Sequence, residues 1–144
     1  KGMTCLISNN LTSKRNKIIA GNLFKTVGKI IWLDKELDID KVTAVSGSGP
    51  AYFFLFIEHL LSQAIKLGLK KKIALELIYQ TALGSIHLLL KSKRSAEELR
   101  KSIAVKGGTT EAAINIFNKK EQFKKIIGQA LKAAYNRSKK LGST

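Results

Sequence analysis

The chain has 144 residues, 44% of them hydrophobic, with 26 Lys+Arg against 10 Asp+Glu and a net charge of +16. That is room for one domain, or one domain plus part of another, with enough apolar content for a core. The single Cys5 excludes an intrachain disulfide and a cysteine-based zinc cluster, in keeping with a cytoplasmic setting, and the longest unbroken apolar stretch, Pro50 to Ile57, is far short of the ~20 residues that span a bilayer.

The chain opens in mid-pattern on Lys1 and reads as a fragment, or as a product whose start has been removed, without a signal peptide. Met3 to Ser8 is short, apolar and partly β-branched, and reads as a buried strand ended by Asn9-Asn10. Thr12 or Ser13 can cap a helix to about Val27, whose apolar stripe is Ile18, Ile19, Leu23, Phe24 and Val27; Gly28 stops it. Lys29 to Leu33 is a second strand, so the opening is one β-α-β unit, too little sheet to stand alone. Asp34 to Asp40 is a polar linker or helix lead-in.

From Lys41 onward the pattern is helical. Val42 to Val45 suggests a short helix ahead of the turn Ser46-Gly47-Ser48-Gly49-Pro50, in which the glycines permit a tight bend, Ser48 is a candidate N-cap and Pro50 suits a first helical position. The helix from Pro50 to about Leu67 is apolar on all sides in its first two turns and should be buried all round, in a core shared with a second chain; Gly68 caps its C-terminus. Lys71 to Lys91 has an apolar face too broad for a solvated helix, and Gly84 within it suggests close helix–helix packing. Ser95-Ala96-Glu97-Glu98 is a capping box that opens a helix to about Ile103. After Lys106-Gly107-Gly108, Thr109 or Thr110 should cap a helix through Phe117, and a last helix covers about Glu121 to Leu141, with a lysine-rich solvated face. Gly142-Ser143-Thr144 should fray.

Chemistry-bearing constellations are few. His59 and His87 stand alone on separate helices, no metal set exists, and no nucleophile with a partnered base is visible. Ser46-Gly47-Ser48-Gly49 lacks the Lys-Ser/Thr of a phosphate loop and the third glycine of a dinucleotide fingerprint. Lys106-Gly107-Gly108-Thr109-Thr110 offers backbone N–H groups, hydroxyls and a helix N-terminus, which together suit a carboxylate; the plainer reading is a Gly-Gly loop with a Thr cap. The positive charge is spread singly and in pairs, with no basic block interleaved with aromatics, so a solvated lysine surface explains it better than nucleic acid does.

Val42-Thr43-Ala44-Val45-Ser46-Gly47-Ser48-Gly49-Pro50-Ala51-Tyr52, Lys66-Leu67-Gly68-Leu69, and Leu99-Arg100 followed by Lys106-Gly107-Gly108-Thr109-Thr110 resemble pyrroline-5-carboxylate reductase, in order and spacing. Gly2-Met3-Thr4 and Val27-Gly28-Lys29-Ile30-Ile31-Trp32 resemble the last strand–helix–strand of that family's cofactor domain. The resemblance implies a mainly α chain: residues 1–37 as the tail of a Rossmann-type dinucleotide-binding domain, and residues 38–144 as a helical dimerisation and substrate-binding domain. It implies NAD(P)H-dependent reduction of 1-pyrroline-5-carboxylate to L-proline, with Gly107, Gly108, Thr109 and Thr110 as substrate contacts and Ser46, Gly47, Ser48, Gly49 and Pro50 beside substrate and nicotinamide. It also implies a homodimer or larger ring, with NADPH or NADH in the complete enzyme and none held by this chain alone, which is then expected to be inactive unless a separate Rossmann polypeptide supplies the missing part. No catalytic, cofactor-binding or metal-ligating residue is assigned. Three positions depart from the family: Val105 replaces a usual Ser, Lys101 stands where Asp is common, and Lys93-Arg94-Ser95-Ala96 replaces an acidic and His-Pro stretch. These departures, with the missing dinucleotide loop, keep a non-catalytic self-association remnant as the alternative, with a basic nucleic-acid-binding protein more distant.

Overall fold

Strand β1 (Gly2–Leu6) and strand β2 (Gly28–Trp32) pair in parallel, from Gly2 opposite Gly28 to Leu6 opposite Trp32, across helix α1 (Lys14–Lys25). The computed structural model describes residues 2–142, so Ser143 and Thr144, expected to fray, lie outside the described residues. The β-α-β unit forms for the reasons its sequence suggests. Ser13 is the N-cap of α1 and its hydroxyl accepts from the Asn16 N–H at 3.1 Å. Gly21 is buried where the helix meets β2; a Cβ there would lie 3.3 Å from Ile30 Cδ1. Gly28 does not stop α1, which ends at Lys25 with Thr26 as its C-cap, but opens β2 instead. A Cβ on Gly28 would run into the Gly2 carbonyl and lie 2.6 Å from the Gly2 nitrogen. Gly28→Ala is therefore expected to destabilise the strand pair by about 1–3 kcal/mol through overpacking, read as faster hydrogen exchange across β1 and β2 with the helices unchanged.

The helices follow: α2 (Asp38–Val42), α3 (Gly49–Lys66), α4 (Lys71–Lys91), α5 (Ala96–Ile103), α6 (Thr109–Asn118) and α7 (Gln122–Gly142). Between α2 and α3 the expected break is absent. Thr43–Gly47 forms a single π-helical turn, and Ser48 stays in the right-handed helical region (φ −84°, ψ −16°), its N–H donating to the Thr43 carbonyl at 2.8 Å. An N-cap needs an extended backbone, so Ser48 is not one. The Ser/Gly stretch is absorbed as an inserted residue in a helical path, a device found often at functional sites.

Helix α3 ends as expected. Gly68 takes φ +98°, its N–H donates to Ile65 O at 2.9 Å, and the Leu69 N–H reaches Ala64 O at 3.1 Å, the paired bonds of a Schellman cap. Helix α4 keeps its expected bounds, and by length and composition it is the one described helix long and apolar enough to cross a bilayer, although no unbroken apolar stretch in it marks it as a span. A Cβ on Gly84 within it would meet nothing within 4 Å, so the expected close packing is not found there among the described residues.

The capping box at α5 is complete. Ser95 Oγ accepts from the Glu98 N–H at 3.2 Å, and Glu98 Oε2 accepts from the Ser95 N–H at 2.6 Å. The backbone and hydroxyl bonds from Ser95 hold the Glu98 carboxyl below its usual range. A depressed folded value means the contribution is present above the unfolded value of about 4.3 and is lost as pH falls through the folded one. Amide exchange in α5 should accelerate as pH drops below about 4 relative to the other helices; Ser95→Ala should flatten that response and loosen α5 by ~1 kcal/mol.

Contacts divide the chain into two compact units, one made of the residues up to Pro50 with those from Gln129 on, the other Ala51–Gly128. In the first, the end of α7 is tied to α2 where Ser138 Oγ donates to Asp40 Oδ1 at 2.6 Å. In the second, α3, α4, α5 and α6 form an open array with little mutual packing. Burial is correspondingly sparse: Ala44, Ala74 and Ile78 are the buried hydrophobic side chains among the described residues. Phe53 and Phe54, expected to be buried all round, are 64% and 69% exposed. Most of the intended core faces outward.

Candidate functional site

The Lys106–Thr110 turn is built by two glycines with different reasons to be there. Gly107 takes φ +75°, a conformation that side chains disfavour. Gly108 has ordinary dihedrals, but a Cβ on it would lie 3.1 Å from the Val105 carbonyl oxygen and 3.2 Å from Val105 Cγ2. Gly108, not Thr109 or Thr110, is the N-cap of α6, with φ −84° and ψ 165° and no side-chain cap bond. Both threonines thereby become the first two helical residues.

This placement decides which donors are available. The Gly108 N–H donates to Val105 O at 3.0 Å, and the Gly107 N–H donates to Glu111 Oε2 at 2.7 Å. Both glycine donors are thus occupied inside the turn. The N–H groups of Thr109, Thr110 and Glu111, and the two threonine hydroxyls, have no protein partner among the described residues. Thr109 is exposed and Thr110 half-buried. Free N–H groups at the positive end of a ten-residue helix can hold an anion of carboxylate size. Glu111 was not singled out by the sequence reading, although a Glu three residues after an N-cap is itself a capping signal.

Ser46 and Gly47 lie in the π-helical turn, Ser48 follows it, and Gly49 and Pro50 open α3. Gly49 is buried, while Gly47 and Pro50 are exposed. This stretch and the Gly107–Thr110 turn fall in different compact units.

No glycine-rich turn follows a strand among the described residues. The turn from β1 into α1 has no glycine and ties up three of its donors locally: Asn9 Oδ1 accepts from the Leu11 N–H at 3.2 Å and from Thr12 Oγ1 at 2.8 Å, and Ser13 Oγ accepts from the Asn16 N–H. No group of three or more His, Cys, Asp or Glu side chains able to hold a metal ion occurs among the described residues.

Residues 36–141 match the family described as pyrroline-5-carboxylate reductase dimerisation. The chain belongs to that family. The pyrroline-5-carboxylate reductase of Pseudomonas aeruginosa is 44% identical over 141 residues, which is 98% of this chain and 51% of the relative. That of Haemophilus influenzae is 36% identical over 142 residues, 98% of this chain and 52% of the relative. Among solved structures, the Plasmodium falciparum pyrroline carboxylate reductase with NADP bound is similar with a TM-score of 0.88 at 34% identity, over 96% of this chain and 57% of that one. The Coxiella burnetii pyrroline-5-carboxylate reductase gives a TM-score of 0.87 at 39% identity, over 95% and 50%. The chain spans about half the length of the curated relatives it matches.

Proposed function

We propose that this chain is the dimerisation and substrate-binding part of a pyrroline-5-carboxylate reductase, which reduces 1-pyrroline-5-carboxylate to L-proline with NADPH or NADH in proline biosynthesis, in the cytoplasm. The observation that carries the reading is the family match over residues 36–141. Residues 1–37 then form the tail of the cofactor domain and residues 38–144 the helical domain, a boundary the start of the match supports.

In this reading the substrate carboxylate is held at the N-terminus of α6, by the Thr109 and Thr110 N–H groups and the Thr110 hydroxyl. Gly107 and Gly108 shape that cradle, and Lys106 adds positive charge beside it. The resemblance also implies that Ser46 to Pro50 lie beside substrate and nicotinamide. The residues that hold the hydride donor are not among those described, so this chain's part is to bind and orient the substrate and to pair with a second copy. The exposed apolar faces of α3 and α4 support a homodimer, or a larger ring built from it.

The test is an NADPH oxidation assay with 1-pyrroline-5-carboxylate, run on the chain alone and then with the cofactor domain of the Pseudomonas aeruginosa relative added as a separate polypeptide. Activity is expected only on addition. Activity of the chain alone would contradict the reading. No activity in either arm, with folding confirmed, would favour the remnant that only self-associates, which Val105 at the edge of the turn supports. Tight retention on DNA that salt abolishes would favour the basic binding protein instead.

A further inference from the structure

The carboxylate site already contains a carboxylate. Glu111 is the third residue of α6, and its side chain folds back past the helix start so that Oε2 accepts from the Gly107 N–H at 2.7 Å. It is half-buried, and no cation pairs with it among the described residues. Its negative charge therefore lies at the positive end of the helix dipole, where the free N–H groups of Thr109 and Thr110 also end.

We propose that Glu111 is a built-in competitor for the carboxylate ligand of this turn. The inference rests on the preceding reading, that the turn binds a substrate carboxylate. A carboxylate ligand arriving at Thr109 and Thr110 meets a like charge a few ångströms away. To bind, it drives the Glu111 side chain out toward solvent, and the Gly107 N–H that Glu111 leaves becomes a donor for the ligand's second oxygen. Glu111 thus weakens resting affinity for carboxylates and keeps the turn satisfied when it is empty, while an amide ligand of the same shape meets no such repulsion. It acts as a positioning residue through the turn, and no bond is made or broken at it.

The experiment is calorimetric titration of the full chain with L-proline and with L-prolinamide, for wild type, Glu111→Gln, Glu111→Ala and Thr110→Val. Glutamine can keep the hydrogen bond to Gly107 without the charge, so Glu111→Gln holds the fold if Glu111→Ala does not. Loss of one like charge at this range should tighten L-proline binding about tenfold in both Glu111 variants, with L-prolinamide unchanged or weaker, and the gain should shrink in high salt. Equal L-proline affinity in wild type and Glu111→Gln, with Thr110→Val still weakened, would overturn the inference and leave the carboxylate site standing, Glu111 being then only a cap. No saturable L-proline binding in any variant, or binding indifferent to Thr110→Val, would remove the site itself and the inference with it.

Discussion

Replacing Phe53 and Phe54 together with glutamate is expected to turn an associated protein into a monomer that no longer holds its helical unit together. The two side chains are adjacent in α3, so they point to different sides of the helix, and both stand mostly in water in the single chain. Phe56, Leu60, Ile73, Leu77, Leu83 and Ile86 are exposed with them. Helices α3 to α6 pack little on one another, and an apolar surface this extensive fits the interface proposed with a second copy. Fully burying each aromatic contributes about 1.5–3 kcal/mol, so losing two weakens association by roughly two to four orders of magnitude before the burial of charge is counted. Sedimentation velocity at micromolar concentration, with circular dichroism alongside, reads both consequences. A wild-type chain that sediments as a well-folded monomer would sink the interface.

Thr110→Val is expected to raise KM for 1-pyrroline-5-carboxylate about tenfold or more in the reconstituted enzyme, while leaving kcat nearly unchanged. Valine keeps the shape of threonine and removes the hydroxyl. A hydrogen bond to a charged group contributes about 1.5–3 kcal/mol, and the carboxylate takes no part in the reduction, so it is held equally in ground and transition states. That pattern separates a substrate contact from a structural threonine, whose loss would lower the melting temperature without changing KM. Val105→Ser should move KM the other way by a few-fold, since the resemblance implies a hydroxyl donor where Val105 presents a methyl group. An unchanged KM in Thr110→Val would take the carboxylate away from this turn.

Where a signal is local, the sequence reading and the structure agree. Ser13 and Ser95 cap the helices they precede, Gly68 closes α3, and α4 runs from Lys71 to Lys91, because each feature depends on a few neighbouring residues. Two expectations fail for one shared reason. Ser48 and the threonines at 109 and 110 are good capping residues by type, but a cap is chosen by backbone conformation. The π-helical turn keeps Ser48 helical, and the extended conformation at Gly108 takes the cap position from Thr109. Glu111 escaped notice because its partner is a backbone N–H four residues back, whose availability depends on Gly107 adopting a positive φ. Lys120 and Glu121, at φ 52° and 55°, are non-glycine residues in a left-handed conformation with no mark in the sequence; the Phe117–Phe123 ring contact at 5.4 Å spans them. The packing around Phe53 and Gly84 was legible only as a demand for a partner. Periodicity shows that a face is apolar without showing what covers it.

The open array of α3 to α6 also bears on how the molecule comes to be folded. When two copies complete each other's interior, folding of this unit becomes a bimolecular reaction, because neither chain can bury its helices before it meets the other. Refolding should then speed up with protein concentration, and the thermal midpoint should rise with it. A freshly made chain in dilute surroundings would wait with its greasiest helices in water, so the vulnerable interval in its life is the search for a twin.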